Sequence, residues 1–350
     1  MTNLTQAAFY TRKIVKIGGL LIVALLVGRV VLKSGSHLWQ QAHPAPPPPP
    51  TVGFGKIPKP IFPPNGETPA MTYQLETKQG ELPETAATGR VYFVAQKSIN
   101  LLDLDRARQQ AKTMGFYNEP EKVSDEIYRW LGNNAPMTTL EMNINNGSFQ
   151  FQYDYANDPE IRNYKNLPTD EQAGQEAKRF LDSHGLKTDS LNQGRQEIEY
   201  LALVNSQLEP VSSFSEANFV RVKLFRRDLD QLIVLPPNPQ KALVSFLFSG
   251  SRELNKRIVE IRYHTAPVEE EIFETYPLMT AQQAWEKLRQ GKAYLASLGQ
   301  NQAGPIIIRW VYLAYYESDQ PQLYLQPVFV FGGDRNFFAY VPALDPQWQE

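Results

Sequence analysis

The sequence predicts an α+β fold that follows one amino-terminal transmembrane helix. Three observations support this prediction: an apolar run near the amino terminus, a proline-rich stretch after it, and three capped amphipathic helices that are each followed by strand patterns. A length of 350 residues suits two or three folded units. Hydrophobic residues make up 42% of the chain, which is enough for real cores and excludes a wholly disordered protein.

The composition excludes several classes of function. The chain has no cysteine, so disulfides, cysteine-bound metals and thiol nucleophiles are excluded. Of its 35 basic and 37 acidic residues, five basic and no acidic residues lie in 1–33, which leaves 30 basic and 37 acidic residues, a net charge of −7, for the remainder. Such an acidic body lacks the basic face that nucleic-acid binding requires, so no nucleic-acid partner is expected.

The first expected element is a transmembrane helix at 14–32, after a cytoplasmic stub at 1–13. The segment IVKIGGLLIVALLVGRVVL would reach ~28 Å as a helix, close to the hydrocarbon thickness of a bilayer. Arg12, Lys13 and Lys16 precede its apolar core, which predicts a single-pass protein of the cell membrane with a cytoplasmic amino terminus and an extracytoplasmic bulk. A cleaved signal peptide and a buried core helix are the alternatives. The outer compartment is either a periplasm or a cell-wall zone.

A proline-rich linker is expected at 33–69. Residues 44–69 contain eleven prolines, and proline fixes φ and has no N–H to donate. The segment is therefore expected to adopt polyproline II rather than helix or central strand. We interpret it as a semi-rigid spacer that lifts a folded domain off the membrane. A docking peptide for a proline-binding domain is the alternative.

Three helices share one pattern and define α+β units expected at 70–165, 166–268 and 269–350. Each helix begins at a capping residue, carries apolar residues four and eight positions later, and ends at a glycine. The second and third caps are threonines with a glutamine three residues on, which is a capping box. The expected caps are Asp103, Thr169 and Thr280, and the glycines are Gly115, Gly185 and Gly291.

The strand patterns predict antiparallel sheets. Residues 138–155 predict a β-hairpin with a two-residue turn at Asn146-Gly147, in which Ile144 lies opposite Phe149. One face of this hairpin is apolar and the other polar, as expected when helices cover one face of a sheet. Further strands are expected at 197–204, 219–225, 242–248, 258–263, 305–316 and 322–331. The last two are apolar on nearly both faces, so they are either central strands or part of a surface that binds another protein.

The carboxyl-terminal part resembles a known family. Residues 276–344 contain YPLMTAQQAWEKLRQG and then IIIRWVYLAYYE, QLYLQPVFVFGG and FFAYVPAL. Over 70–345 this pattern resembles the extracytoplasmic PepSY-like domains, and its layout is most similar to YycH/YycI-type regulators of cell-wall histidine kinases. The resemblance implies a regulatory or inhibitory interaction module without catalysis, and it supplies no catalytic residue.

No motif for a metal, a cofactor or a catalytic centre is found in the sequence. His184 lies in a last helical turn, where capping is favoured over metal binding, and His264 ends a strand without a companion ligand. The Ser-Gly-Ser at 249–251 is interpreted as a turn, and the acidic run at 269–274 as a solvated connector. We therefore expect no cofactor, no small-molecule ligand and no enzyme. An envelope hydrolase or peptidoglycan-processing enzyme with an unrecognised active site is the alternative.

Aromatic residues at 310–340 supply the candidate binding surface. Most are expected in the core, but a tyrosine exposed beside an edge strand would favour protein binding. Pro327 cannot donate a ladder hydrogen bond, which favours an edge position for strand 322–331 and β-augmentation by a peptide or a second copy. The sequence thus predicts a regulatory protein that binds another envelope protein or itself. The residues expected to make the protein-binding surface are Tyr315, Tyr324, Gln326 and Val328.

Overall fold

In a computed structural model of the protein, the described residues are 49–66, 71–97, 100–132, 138–158, 160–301 and 304–350, together with Gly18, Gly28 and Arg29. The expected stub at 1–13 lies outside the described residues, as does the expected membrane helix at 14–32 apart from those three residues. Of the described helices, none combines the length and the apolar character needed to cross a membrane. The chain divides into two units, and the second, Pro50–Glu350, is called the body below.

Three helices and a set of strands build the body. The helices are α1 (Asp103–Thr113), α2 (Asp170–Ser183) and α3 (Ala281–Arg289), and single helical turns lie at Asp189–Asn192 and Leu254–Arg257. The strands are β1 (Met71–Leu75), β2 (Thr88–Val94), β3 (Glu121–Lys122), β4 (Ile127–Leu131), β5 (Thr138–Asn143), β6 (Phe149–Tyr153), β7 (Gln196–Val204), β8 (Gln207–Pro210), β9 (Phe219–Leu224), β10 (Val234–Leu235), β11 (Val244–Ser249), β12 (Ile258–Tyr263), β13 (Val268–Pro277), β14 (Tyr294–Ser297), β15 (Gly304–Tyr316), β16 (Tyr324–Gly333) and β17 (Phe337–Pro342). The expected α+β class is confirmed.

The helix ends largely follow the sequence prediction. Both capping boxes are confirmed, since Thr169 and Thr280 each accept the backbone N–H of the glutamine three residues on. The glycine two residues after each helix has φ between +67° and +89°, the left-handed conformation that ends a helix. The first cap was predicted wrongly. Asp103 is the first helical residue, and its carboxylate accepts the backbone N–H of Asn100 at 2.7 Å, while Leu102 takes the cap position.

Nine strands form one antiparallel sheet in the order β3-β4-β5-β6-β12-β11-β9-β7-β8. α1 and α2 cover one face of it and bury small side chains there, among them Ala107, Ala111, Ala173 and Ala177. Small residues at these positions let the helices lie close to the sheet. The other face, called the wet face, carries charged and polar side chains, but part of it packs a buried apolar cluster that includes Leu201, Phe219 and Leu247. The dry face and the polar face predicted for the hairpin at 138–155 are both present.

Eight strands form the second sheet, with a central order β1-β15-β16-β17-β14. β10 also pairs with β15, β2 pairs with β16, and β13 pairs with β2. α3 covers one face, where Ala284, Leu288 and Phe331 are fully buried. The two strands expected at 305–316 and 322–331 correspond to β15 and β16, and both lie centrally in this sheet.

The strand pairing cuts across the units expected at 70–165, 166–268 and 269–350. β6 pairs with β12, so strands from the first two expected units form one continuous sheet. β1 and β2, from the first expected unit, join the eight-stranded sheet through β15 and β16. The two sheets therefore define the layers of the body.

The hairpin at 138–155 forms with a different register from the one predicted. Met142 rather than Ile144 lies opposite Phe149, so β5 is displaced by two residues and the loop is longer. The physical reason is the side chain of Asn143, which accepts the backbone N–H groups of Asn145 and Asn146 and turns the chain early. A displacement of two residues keeps every side chain on its predicted face.

The acidic run at 269–274 is part of β13 and not a connector. β13 pairs with β2, and its register shifts between Glu269 and Phe273. This bulge breaks the alternation that marks a strand in sequence, which is why the run resembles a loop. Glu269 and Glu271 are exposed, whereas Glu270 is partly buried and pairs with Arg227. Exposed charged side chains on an edge strand hinder its pairing with other chains.

The second half of the expected spacer packs on the body. Within residues 50–66, called the strap, Ile57 is fully buried and bridges to Gln349. The ring of Phe62 lies among three tyrosine rings at centroid distances of 4.7 to 6.4 Å. A spacer was expected because prolines cannot donate, but their carbonyls still accept: Gln326 donates to the carbonyl of Pro58. The expected semi-rigid spacer therefore does not include residues 50–66, which pack on the rest of the body.

Candidate functional site

The surface expected at strand 322–331 is not available, because β16 is paired along both edges. β15 lies on one edge, and β2 and β17 share the other. Tyr315, Gln326 and Val328 are at most 3% exposed. Tyr324 is half-buried, with its ring 5.1 Å from that of Phe54. The prediction of β-augmentation through these residues is therefore wrong.

Pro327 is tolerated inside this sheet because the carbonyl opposite its nitrogen has another donor. On that edge β2 pairs with Tyr324 and Leu325, whereas the pairing with β17 starts at Val328. The carbonyl of Pro327 accepts the backbone N–H of Ala343 at 3.1 Å. The nitrogen and carbonyl of a strand residue face the same edge, so the proline nitrogen also faces Ala343. The carbonyl of Ala343 accepts the backbone N–H of Met279 at 2.9 Å instead, so it is not left without a donor.

Tyr315 does not contact a partner; it stabilises the core of the body through its hydroxyl group. Its hydroxyl donates to Asp230 at 2.9 Å, and the hydroxyl of Tyr92 donates to the same carboxylate oxygen at 2.6 Å. Arg90 donates to the other oxygen at 2.6 Å. Burial, followed by the bond to Asp230, raises the pKa of Tyr92 to about 12, so this hydroxyl stays a donor at neutral pH. The cluster is structural.

A cleft of about 1080 Å³ between the two sheets is the candidate functional site. We call it the inter-sheet cleft. Its first wall is the wet face of the nine-stranded sheet, built from alternating positions on neighbouring strands. In the ladder, Glu197 lies opposite Lys223 and Glu199 opposite Arg221. The charged residues that line the cleft are Arg195, Glu197, Glu199, Arg221, Lys223, Lys241, Glu260 and Arg262.

The charges deep in the cleft neutralise one another. Arg221 lies 3.6 Å from Glu199 and 3.6 Å from Glu260, and Lys223 lies 3.3 Å from Glu199. The side chains of Arg221 and Lys223 are mostly buried. Charged groups at this depth need such partners to offset the loss of hydration. The deep part of the wall is therefore a balanced ionic network.

The basic side chains nearer the opening of the cleft have fewer carboxylate partners than the deep ones. Arg195, Lys241 and Arg262 are more exposed than the deep cations. Arg195 has one carboxylate partner, Glu197, and Arg262 has one, Asp319, at 3.5 Å. Among the described residues, no carboxylate lies within ion-pair distance of Lys241. This part of the cleft can accept further carboxylates.

The second wall is aromatic and apolar. Tyr312 of β15 and Phe338 of β17 line it, with Ile233 and Leu235 beside them. Two residues from Tyr312, on the same face of β15, the side chain of Trp310 is 51% exposed. Trp310 pairs with Gly332, which in turn pairs with Phe338, so the three residues form one row across the sheet.

Gly332 shapes this aromatic row. A Cβ atom at this position would lie 3.0 Å from the ring of Trp310 and 3.5 Å from that of Phe338. Glycine therefore lets the tryptophan ring lie against the strand while its outer face stays open to solvent. Trp310 thus exposes a large apolar side chain to solvent next to the cleft, and tryptophans are enriched in binding interfaces.

The remaining residues that stood out in sequence have structural roles. His184 caps α2: Nδ1 lies 2.7 Å from the carbonyl of Phe180 and Nε2 3.1 Å from that of Thr113, as predicted. Ser249 is buried and donates to the carbonyl of Lys256 within a turn. Within the described ranges, no three His, Asp or Glu side chains are placed to hold one metal ion.

Ten solved chains are similar in structure to this protein, among them the two that follow. No protein-family model matches the chain, and no curated protein matches its sequence. The chain is similar to an uncharacterized protein from Eubacterium rectale, with 15% identity and a TM-score of 0.39 over 74% of this chain and 82% of that one. It is also similar to the C-terminal domain of YpeB from Bacillus megaterium, with 12% identity and a TM-score of 0.29 over 72% and 96%. Both TM-scores are below 0.5, so no function follows from them.

Proposed function

We propose that the protein is a membrane-anchored extracytoplasmic binding protein that holds a segment of another envelope protein in the inter-sheet cleft, without catalysis. The observation that carries this proposal is the contrast between the two walls. Interfaces combine aromatic anchors with charged groups, because the anchors supply affinity while the charges set orientation and partner choice. The inter-sheet cleft offers both at once.

The walls are held in place before any partner binds. β9, which carries Arg221 and Lys223, leads directly to Arg226, and β15, which carries Tyr312, leads to Glu317. Arg226 and Glu317 form a buried ion pair. A binding site that is already formed loses less conformational entropy on association. This rigidity supports a binding role for the cleft.

The location and the regulatory role rest on sequence. The apolar run at 14–32 with its preceding basic residues supports a cytoplasmic amino terminus and an extracytoplasmic body. The resemblance of 70–345 to PepSY-like domains and to YycH/YycI-type regulators supports a role in controlling a membrane partner. Regulation would then consist of occupying or releasing a segment of that partner.

Site-specific photo-crosslinking in the native membrane tests this proposal. A photo-reactive amino acid replaces Tyr312 in the full-length protein, and adducts are identified by mass spectrometry. The matched control carries the same amino acid at Tyr117, an exposed aromatic residue outside the cleft. We expect a specific protein adduct from position 312 alone. Identical adducts at both positions, adducts made only of carbohydrate, or no adduct at position 312 would reject the proposal.

A further inference from the structure

We infer that the segment held in the inter-sheet cleft is an acidic, extended stretch of polypeptide with an apolar side chain that rests on Trp310. This inference rests on the proposed function and adds the chemistry of the partner. It follows from the charge of the lining, from the partners of its outer cations and from the aromatic row.

The cleft is locally basic in an acidic body. Its lining has five basic and three acidic side chains, a net charge of +2. The chain after residue 33 has 30 basic and 37 acidic residues, a net charge of −7. The rest of the body is therefore more acidic still. Complementary charge speeds encounter and disfavours wrong partners, so an anionic ligand is selected over a cationic one.

The outer cations have donors left for such a ligand. A guanidinium has five N–H donors, and Arg195 and Arg262 each have one carboxylate partner in the body. Lys241 lies on the loop between β10 and β11 and offers three more donors. Carboxylates of a bound segment can therefore be received along this side of the cleft without breaking the deep network around Arg221.

The aromatic wall defines the other half of the ligand. Tyr312 and Phe338 line the cleft, and the half-exposed ring of Trp310 lies beside them, on the face of β15 that carries Tyr312 and in one row with Phe338. An apolar side chain placed on Trp310 would bury apolar surface of both proteins. Buried aromatic residues contribute a large share of the binding free energy of an interface. An extended chain directs successive side chains to opposite sides. Acidic side chains can thus face the charged wall while apolar ones face Trp310.

A binding measurement with model peptides tests the inference. Full-length protein in detergent is titrated into a fluorescently labelled polyglutamate peptide with one central leucine, and anisotropy is recorded. Polylysine and polyglutamine peptides of the same length and with the same leucine are the comparisons. We expect binding of the polyglutamate peptide alone, weakening as salt is raised because exposed charges are screened. Equal binding of all three peptides, or preference for polylysine, would overturn the inference.

The variant that tests the site removes the three outer cations together, with the substitutions Arg195→Gln, Lys241→Gln and Arg262→Gln. Each exposed pair contributes modestly, so the three together are expected to weaken polyglutamate binding about tenfold. Circular dichroism spectra confirm that the variant is folded. If its affinity equals that of the wild type, the cleft is not where the peptide binds.

The matched control removes the same charges from outside the cleft, with Lys112→Gln, Arg179→Gln and Arg289→Gln. These residues are exposed on α1, α2 and α3, respectively, which lie on the opposite faces of the two sheets. We expect affinity to change less than about twofold, since long-range effects of exposed charges are screened. If both triple variants lose the same affinity for polyglutamate, the peptide is attracted by the overall charge of the protein, and the cleft is rejected as its binding site.

The two proposals fail in different ways. If position 312 crosslinks to a protein but polyglutamate does not bind, the acidic character is rejected and the binding role stands. Binding of polyglutamate with no protein adduct at position 312 rejects the envelope partner. Competition by an uncharged oligosaccharide as strong as that by polyglutamate would indicate a glycan site and overturn the inference.

Discussion

Arg226 and Glu317 form a buried ion pair that joins the two sheets. The guanidinium donates to the carboxylate at 2.8 and 3.1 Å, and the two side chains are only 9% and 8% exposed. Arg226 also donates to the hydroxyl of Ser190 and to the carbonyl of Ala266. Nearly every donor of the arginine is therefore satisfied. The ion pair fixes the strands that carry the two walls of the cleft.

Removing the carboxylate of this ion pair is expected to destabilise the body. Glu317→Gln leaves Arg226 buried without an opposite charge, at an expected cost of about 3 kcal/mol in the free energy of unfolding. Denaturant unfolding monitored by tryptophan fluorescence measures it. The control is Asp125→Asn, which breaks the exposed ion pair with Lys122 and should cost at most about 0.5 kcal/mol. Equal costs for both variants would contradict the role assigned to the buried ion pair.

The contribution of Glu317 is expected to depend on pH. Burial alone would raise the pKa of Glu317, but the charge and hydrogen bonds of Arg226 and the N–H of Ala266 outweigh it, so the pKa lies below the ordinary value of 4.5. In the unfolded chain the carboxyl takes up a proton near pH 4.5, whereas in the folded protein it stays ionised to lower pH. Its stabilising effect is therefore complete above pH 4.5 and is lost as the pH falls further.

Unfolding at a series of pH values checks this dependence. The difference in unfolding free energy between the wild type and Glu317→Gln should be largest near neutral pH and should shrink below pH 4.5. A difference that stays constant between pH 7 and pH 3 would show that the ionised form of Glu317 is not favoured by folding.

The strap is expected to contribute to the stability of the body. Phe62→Ala removes a ring that lies 4.8 Å from that of Tyr294 and 4.7 Å from that of Tyr316, at an expected cost of about 2 kcal/mol. The neighbouring change Ile61→Ala affects a more exposed side chain and should cost less than about 0.5 kcal/mol. Trypsin should also cut faster after Lys56 in Phe62→Ala. An unchanged cutting rate would show that Phe62 does not hold the strap.

Trp310 is expected to matter for binding more than for folding. Trp310→Ala should weaken polyglutamate binding and crosslinking at position 312 about tenfold, since a tryptophan anchor supplies much of an interface's energy. The free energy of unfolding should change by less than about 1 kcal/mol because half of the side chain is already exposed. Tyr117→Ala, at another exposed aromatic residue, is the control and should leave binding unchanged. A large loss of stability in Trp310→Ala would assign the residue to the core.

Local signals made much of the fold predictable. The threonine caps, the terminating glycines and the period of apolar residues are properties of short segments, so α2 and α3 were found with their ends. β9 and β12 alternate between apolar and charged residues over 220–224 and 259–263, where the charged side chains line the inter-sheet cleft. These elements are determined by interactions between residues close in sequence, which one sequence displays directly.

Long-range contacts were not predictable. Nothing near Phe62 shows that three tyrosines more than 200 residues away will enclose it, and the edge of β16 is closed by β2 from the opposite end of the chain. The candidate site depends on the same kind of information. Charged residues alternate with other residues along β7, β9 and β12, but only the packing of the second sheet makes the face that carries them the wall of a cleft.

In the proposed membrane-anchored protein, the packing of the strap would limit the distance between the body and the bilayer. Because residues 50–66 belong to the body, the tether from the expected end of the membrane helix at 32 comprises the 17 residues 33–49. However it is arranged, a chain of this length spans at most ~60 Å. Under the proposed function, a partner captured in the cleft would have to present its acidic segment within that distance of the same membrane, which favours a neighbouring membrane protein over a distant component of the envelope.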